Sequence, residues 1–553
     1  MKKLIFLLGL LLIISCKESK KVDYSSLVLW KTYNDSSEVA ASQEHEKSRM
    51  RFKLIQSRVS DKNEIFRPLY HEVAEMSETD YEQLKPLILE QDIPTIQGHI
   101  KDGKLTYEKL VRFFLYRIYR FELDNKTTLH TILALNENVV EEARELDNLI
   151  SEDRHPIFGM PIFLKDNIGT AGMNTTAGSI ALKDNETEDA FIVRQLKKNK
   201  ALIMGKVNLS EWAYYMCNGC PLGYSAIGGQ TLNPYGRGIF ETGGSSAGSG
   251  TSVAANYAVA AVGTETSGSI LSPSSLNSVV GLKPTIGLLS RSGIVPISST
   301  LDTPGPMTKN VIDNAILLSA MTGKDMADDK SVSTDEKYFE AVLNPVSLKG
   351  KRLGVFKDLL ETDSIYGNTI NKLKKLGAEI IEFNAPEVSM DGFLTLLNID
   401  MKNDLPEYLS TNIQNKEVIP MRTMEEIVEF NLQDSLLRIP YGQSIFDGIL
   451  KDSTTLEELE VIKSRLEKNG RLFFDTAMDQ ENLDAILSIN NYHAGYAAVA
   501  KYPALTIPMG YKETGEPISL TFIAKPFHEN DLLGLGRAFE IATKIRKPPL
   551  AYN

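Results

Sequence analysis

The stretch "ETGGSSAGSGTSVAANYAVAAVGTETSGSI", Glu241 to Ile270, decides how this chain is read. It holds two clusters of small residues and hydroxyls, GGSSAGS and TSGS, separated by an apolar run. "SVAANYA" fits a thin helix and "YAVAAVGTE" a buried strand. Continuous apolar strands alternating with helices belong to α/β sheets covered on both faces. Gly and Ser embedded in such patterning do not form a flexible linker. Nor do they cradle a phosphate, because G-x-x-x-x-G is followed here by Ser249 and Gly250, not by Lys and Ser/Thr.

Two catalytic readings remain. Gly244 to Gly248 satisfies G-x-S-x-G, a nucleophile elbow with Ser246 at its centre and His493 or His528 as downstream base. The elbow should follow a buried strand, yet "PYGRGIFETGG" is loop-like, and neither histidine has distinctive local context. The other reading uses a lysine. Lys165, in "IFLKDN", sits directly behind an apolar run, where a charged side chain is out of place. Desolvation at a strand end lowers the pKa of an amine and lets the neutral form act as a base. A serine hydroxyl needs such a base to become a nucleophile. A Lys–Ser–Ser relay accounts for one lysine, two hydroxyl clusters and no histidine motif.

Working outward, "PIFLKDNIGTAGMNTTAGS", "GGSSAGSGTSVAA", "VGTETSGSILSPSSLNSVVGLKPTIGLLSRSGIVPISSTLDTPGPM" and "YPALTIPMG" follow one another along the chain. These blocks resemble the amidase signature family, in the family's order, from about residue 90 to the C-terminus. The resemblance implies one large α/β domain with a mixed, mostly parallel central sheet covered by helices on both faces. It implies a triad of Lys165 as base, Ser245 as relay on a cis peptide, and Ser269 as nucleophile, the two serines standing 24 positions apart as is usual in the family. Backbone N–H groups of Thr266, Ser267, Gly268 and Ser269 would hold the oxyanion, and no metal or organic cofactor is implied. GGSSAGS replaces GGSSGGS, TETSGS replaces TDTGGS, and "ILSPSS" replaces a block that often begins Ile-Arg; none removes a catalytic side chain. Thr-Glu-Thr, "SEWAYY" and "PISSTLDTPGPM" are most similar to bacterial peptide amidases, which act on C-terminal amides. The wider family includes fatty acid amide hydrolases and the glutamyl-tRNA amidotransferase A subunit. A fatty-acyl substrate, a transamidating subunit with partners, and a non-catalytic binding lipoprotein therefore stay open.

The remaining sequence frames this domain. The chain has 553 residues, 42% hydrophobic and 24% charged, with a formal net charge of −12 that speaks against nucleic-acid binding. Met1-Lys2-Lys3 and the apolar run Leu4 to Ile14 read as a signal peptide, too short to span a bilayer. "IISC" resembles a bacterial lipobox, so residues 1–15 are expected to be removed and Cys16 lipidated, anchoring the protein on the periplasmic or surface face of a membrane. Residues 16–80 form a tether and helical N-terminal extension, and 81–553 the amidase signature domain. Thr106 is placed to cap a helix carrying Leu110 and Phe113 or Phe114, and Val139, Ala143, Leu146 and Ile150 step along another. Cys217 and Cys220, in "CNGC", are either a disulfide or two loop thiols; scattered histidines and the lack of a second pair disfavour zinc. The pocket for the amide is expected from the irregular helical region 386–480 and the loop after "SEWAYYMCNGCPLGY".

Overall fold

The computed structural model describes residues 24, 26–149, 154–343 and 347–553. The signal segment 1–15, Cys16 and Ile150 lie outside the described residues. Strands in chain order are β1 (Ile132–Leu135), β2 (Pro161–Lys165), β3 (Leu202–Val207), β4 (Tyr224–Ser225), β5 (Gly229–Gln230), β6 (Ala260–Glu265) and β7 (Val280–Lys283). They continue as β8 (Thr303–Thr308), β9 (Arg352–Phe356), β10 (Glu379–Phe383), β11 (Ala485–Ile489), β12 (Ala504–Tyr511) and β13 (Pro517–Ile523). β4 and β5 pair with each other, and the rest form one sheet in the order β1-β3-β2-β6-β8-β7-β12-β13-β11-β9-β10.

The sheet is mixed, as expected, with its parallel strands gathered in two blocks. β3, β2 and β6 run parallel, as do β11, β9 and β10. The other six neighbouring pairs are antiparallel, a larger share than expected. The reason lies in the connections. Parallel neighbours need helical crossovers, such as Phe191–Lys198 between β2 and β3 and Ser364–Lys375 between β9 and β10. β12 and β13 are instead joined by a tight turn closed by Lys512 N–H to the Glu516 carbonyl at 2.8 Å. Every residue of β2, β3, β6, β7, β8 and β13 is buried. Because side chains alternate between faces, that burial means both faces are covered there.

Local chemistry explains the helices that surround the sheet. The Thr106 hydroxyl accepts the Lys109 N–H at 3.1 Å and starts Tyr107–Glu122, which buries Leu110, Phe113 and Phe114. Val139–Asn148 buries Val139, Ala143 and Leu146 as the spacing predicts. One core takes in Met50 to Val73 as well as the sheet, so this part of the extension packs onto the domain. A second core joins the helices Phe393–Thr411, Met424–Leu432, Ser444–Lys451 and Leu456–Glu481 to residues 212–220 and 295–301. Among the described residues no helix is long and apolar enough to cross a membrane.

The helix Ala247–Ala254 is thin because it must lie close to the strand ends. The Gly248 N–H donates to the Asn208 carbonyl at 2.8 Å. A Cβ on Gly248 would meet that carbonyl oxygen at 2.4 Å and the Asn208 nitrogen at 2.6 Å, both immovable backbone atoms. Gly248→Ala is expected to lower stability by about 1–3 kcal/mol in denaturant titrations, the usual cost of overpacking.

Candidate active site

β2 and β6 are parallel neighbours, so both end at the same edge of the sheet. Lys165 is the last residue of β2, and Thr264 and Glu265 are the last two of β6. This edge, beyond the carboxyl ends of parallel strands, is where α/β sheets hold ligands. Lys165 has no exposed surface. Its Nζ donates to Ser245 Oγ at 2.7 Å, Thr264 Oγ1 at 2.8 Å and the Thr264 carbonyl at 3.2 Å. Asn167 Nδ2 donates to the same Thr264 hydroxyl at 3.0 Å. Burial pulls the lysine down to about 7, against the opposing pull of the Asp302 and Glu265 carboxylates.

The two serine clusters face each other through the backbone. The Ser246 N–H donates to the Ser269 carbonyl at 3.1 Å, and the Ser245 carbonyl accepts the Ser210 N–H at 3.0 Å. The Gly244–Ser245 peptide is cis. Exposure rises from zero at Lys165 and Ser245 to 9% at Ser269, so the outermost hydroxyl is the one a substrate would meet. Ser269 closes the turn that follows β6. Glu265, buried at the base of that turn, accepts the Ile270 N–H at 2.7 Å and the Leu271 N–H at 2.9 Å. The Gly268 N–H also leans on this carboxylate. Among the described residues, the N–H groups of Thr266, Ser267 and Ser269 have no acceptor. The Thr266 hydroxyl donates to Asp302 at 2.5 Å.

The elbow reading of Ser246 fails on contacts. Ser246 Oγ donates to the Thr264 carbonyl at 3.0 Å and accepts the Thr264 N–H at 3.2 Å, which locks it into β6. His493 stacks on Phe356 with ring centroids 4.0 Å apart and bonds Ser488, and His528 is exposed beside Asp531. Cys217 and Cys220 are joined as a disulfide with Cα atoms 5.9 Å apart, which decides between the two alternatives for CNGC. Their loop packs against the helix Ser444–Lys451: the Asn218 N–H donates to Ser444 Oγ, and the Ile445 N–H to the Met216 carbonyl, each at 3.0 Å.

Several supporting residues carry little or no sequence signal. Thr264 and Asn167 sit inside the quoted TETSGS and KDN blocks, which is the only local signal they carry. Lys206 carries none. Its Nζ pairs with Asp166 Oδ1 at 3.1 Å and donates to the Ile168 carbonyl at 2.7 Å, fixing the loop that leaves Lys165.

Beside these groups lies a cavity of about 670 Å³. Its wall includes Asn167, Thr264 and Thr266, although not Lys165 or either serine. β7 points the same way as β6, because each is antiparallel to β8. The connection from β7 to β8 therefore crosses this edge and supplies residues 291–299 of the wall. Asp404, Glu407, Tyr408, Thr411 and Asn412, near the C-terminal end of the helix Phe393–Thr411, also line the cavity. Of the two expected sources the helical region contributes, whereas the loop after "SEWAYYMCNGCPLGY" supplies none of the wall; the lining residue from that part of the chain is Ala213, inside the quoted segment.

Comparison with known proteins places this geometry among relatives. The family model described as Amidase matches residues 109–489. An Arabidopsis thaliana protein described as a probable amidase is 33% identical, over 84% of this chain and 92% of its own. The crystal structure of an amidase family protein from Bacillus anthracis superposes with a TM-score of 0.84 at 35% identity, covering 90% of this chain and 99% of its own. The native peptide amidase from Stenotrophomonas maltophilia superposes with a TM-score of 0.78 at 34% identity, covering 83% and 98% respectively.

Lys165 also links stability to pH. Its folded pKa, about 7, lies below the ordinary 10.5 of the unfolded chain. Between those values the unfolded chain binds the extra proton, so this group's contribution rises with pH and is lost as pH falls toward 7. Lys165→Met removes the titration. Its stability relative to the parent is expected to be most favourable near pH 7 and to fall by about 2–4 kcal/mol by pH 10, read from urea titrations at the two pH values.

Proposed function

The chain belongs to the amidase family and is an amide hydrolase, and we propose that Lys165, Ser245 and Ser269 carry its reaction. The contact that carries this reading is the 2.7 Å hydrogen bond from the wholly buried Lys165 amine to Ser245 Oγ. Neutral Lys165 accepts the proton of Ser245, which in turn takes the proton of Ser269. Ser269 Oγ attacks the amide carbonyl, and the developing oxyanion is met by N–H groups of the turn Thr266, Ser267, Gly268 and Ser269. Glu265 keeps that turn in shape by holding the next two N–H groups, and it shares the Gly268 N–H. The leaving amine receives its proton back through Ser245, and water then hydrolyses the acyl-enzyme. Likeness to the Stenotrophomonas maltophilia peptide amidase supports C-terminal peptide amides as substrates.

Ser269→Ala is expected to reduce turnover to background and to abolish labelling by a serine-reactive fluorophosphonate. Lys165→Ala should cost at least about 10²–10³-fold in kcat while leaving the circular dichroism spectrum unchanged. In the parent enzyme kcat/KM should fall as pH drops below about 7, where Lys165 takes up its proton. Ser246→Ala should keep most activity, because that hydroxyl bonds only the Thr264 backbone. A Lys165→Ala enzyme of near-parental rate, or a dead Ser246→Ala enzyme, would contradict the scheme.

The same proposal places the enzyme on a bacterial membrane through Cys16, on the strength of the lipobox-like "IISC". Radiolabelled palmitate should enter the parent chain and not the Cys16→Ser chain, and fractionation should move the latter out of the membrane pellet. Equal labelling of both would remove the anchor from the proposal.

A further inference from the structure

The cavity beside the relay is unevenly charged. Asp302, Asp328, Asp329, Asp404 and Glu407 line it against a single guanidinium, Arg291. Arg291 is already committed: it grips Asp328 through Nε at 3.0 Å and through a second, Nη2 contact, and reaches Asp329 at 3.5 Å. Asp302 is satisfied by the Ile297 and Ser298 N–H groups at 2.8 and 2.9 Å and by the Thr266 hydroxyl. Among the described residues Asp404 is met by Ser299 alone, whose N–H donates at 2.6 Å. Among the described residues neither Asp404 nor Glu407 has a Lys, Arg or His at ion-pair distance. Asp400, one turn earlier, is paired with Lys463 at 3.1 Å.

Burial, with Asp400 and Asp302 close by, pushes Asp404 up to about 7, as befits a carboxylate short of counter-charge. Asp404 and Glu407 stand three apart on the helix Phe393–Thr411 and therefore share a face. Glu407 is exposed and Asp404 half-buried, so the pair runs from the mouth of the cavity inward. A separate observation comes from the wall nearest the relay. Asn167 is only 2% exposed, and among the described residues its Oδ1 has no hydrogen-bond partner. An N–H donor belonging to a ligand would satisfy it.

Resting on the amide-hydrolase reading, we infer that the preferred substrate is a cationic amide, whose ammonium or guanidinium group is held by Asp404 and Glu407 while its carboxamide lies against the turn Thr266 to Ser269. The volume of about 670 Å³ suits an amino-acid amide or short peptide amide. Charge complementarity of this kind selects partners more than it adds raw affinity, so the signature is a preference between isosteres.

The test uses matched amides that differ in charge: arginine against citrulline, and lysine against Nε-acetyl-lysine, each in short peptide amides. Binding to the full-length Ser269→Ala protein is measured by calorimetry, and kcat/KM is measured on the parent enzyme. The cationic member is expected to bind about tenfold or more tightly. Asp404→Asn and Glu407→Gln, placed singly in the same background, should each cut that preference to about threefold or less. Equal binding within the pairs, or a preference that both substitutions leave untouched, would overturn the inference. Selective binding of the cationic amides without cleavage of any amide would leave the charge preference standing and bring down the catalytic assignment instead.

Discussion

The removal of one amine from water at the end of β2 is the constraint on which the site depends. Transferring an unpaired ammonium into a protein interior is costly enough that the group gives up its proton instead. Burial pulls Lys165 down to about 7; its amine is held by two hydroxyls and one carbonyl and, among the described residues, has no carboxylate in contact. Asp302 and Glu265 act on it only from a distance, so they moderate the shift without cancelling it. A directly paired lysine would remain charged and be useless as a base. The adjacent Lys206 makes a partial contrast: it is equally buried and burial pulls it down as well, but Asp166 at 3.1 Å opposes that pull, and its work is to hold a loop.

The small residues of the quoted stretch follow from the same demand. Bringing Ser245 to the amine beside the turn that carries Ser269 requires two backbone segments to run within hydrogen-bonding distance, as Ser246 N–H and the Ser269 carbonyl do. Side chains would keep them apart. A Cβ on Gly244 would meet Ser210 Oγ at 2.5 Å, and one on Gly263 would meet Met307 Sδ at 2.7 Å and the Ser246 hydroxyl at 3.0 Å. Gly268 adopts φ of +86°, which the turn into Ser269 needs. The run of small residues is here a packing requirement.

Sheet and helices divide the work. The parallel block β3-β2-β6 positions the groups proposed to react, because neighbouring parallel strands deliver their last residues to one edge. The helix Phe393–Thr411, rooted in its own hydrophobic cluster, faces that edge with carboxylates. On the proposed reading, chemistry and selectivity belong to different layers of the fold, and changes on the helical side need not disturb the amine.

From the residues alone one could read the capped helix at Thr106, the buried strands, the thin helix and the strand-end lysine, since each rests on periodicity or on a neighbour a few positions away. Likeness of ordered motif blocks then picked out Lys165, Ser245 and Ser269. Other features were decided only when the chain closed on itself. Glu265 is one residue among many acids until its carboxylate meets the N–H groups of Ile270 and Leu271, and Lys206 is anonymous until β3 lays it beside Asp166. The antiparallel share of the sheet, the joining of Cys217 to Cys220 and the unmatched charge of Asp404 are likewise invisible in local pattern. The physical reason is range: hydrophobic period and capping act within a turn or two, whereas desolvation, pairing and counter-charge are set by groups tens to hundreds of residues away.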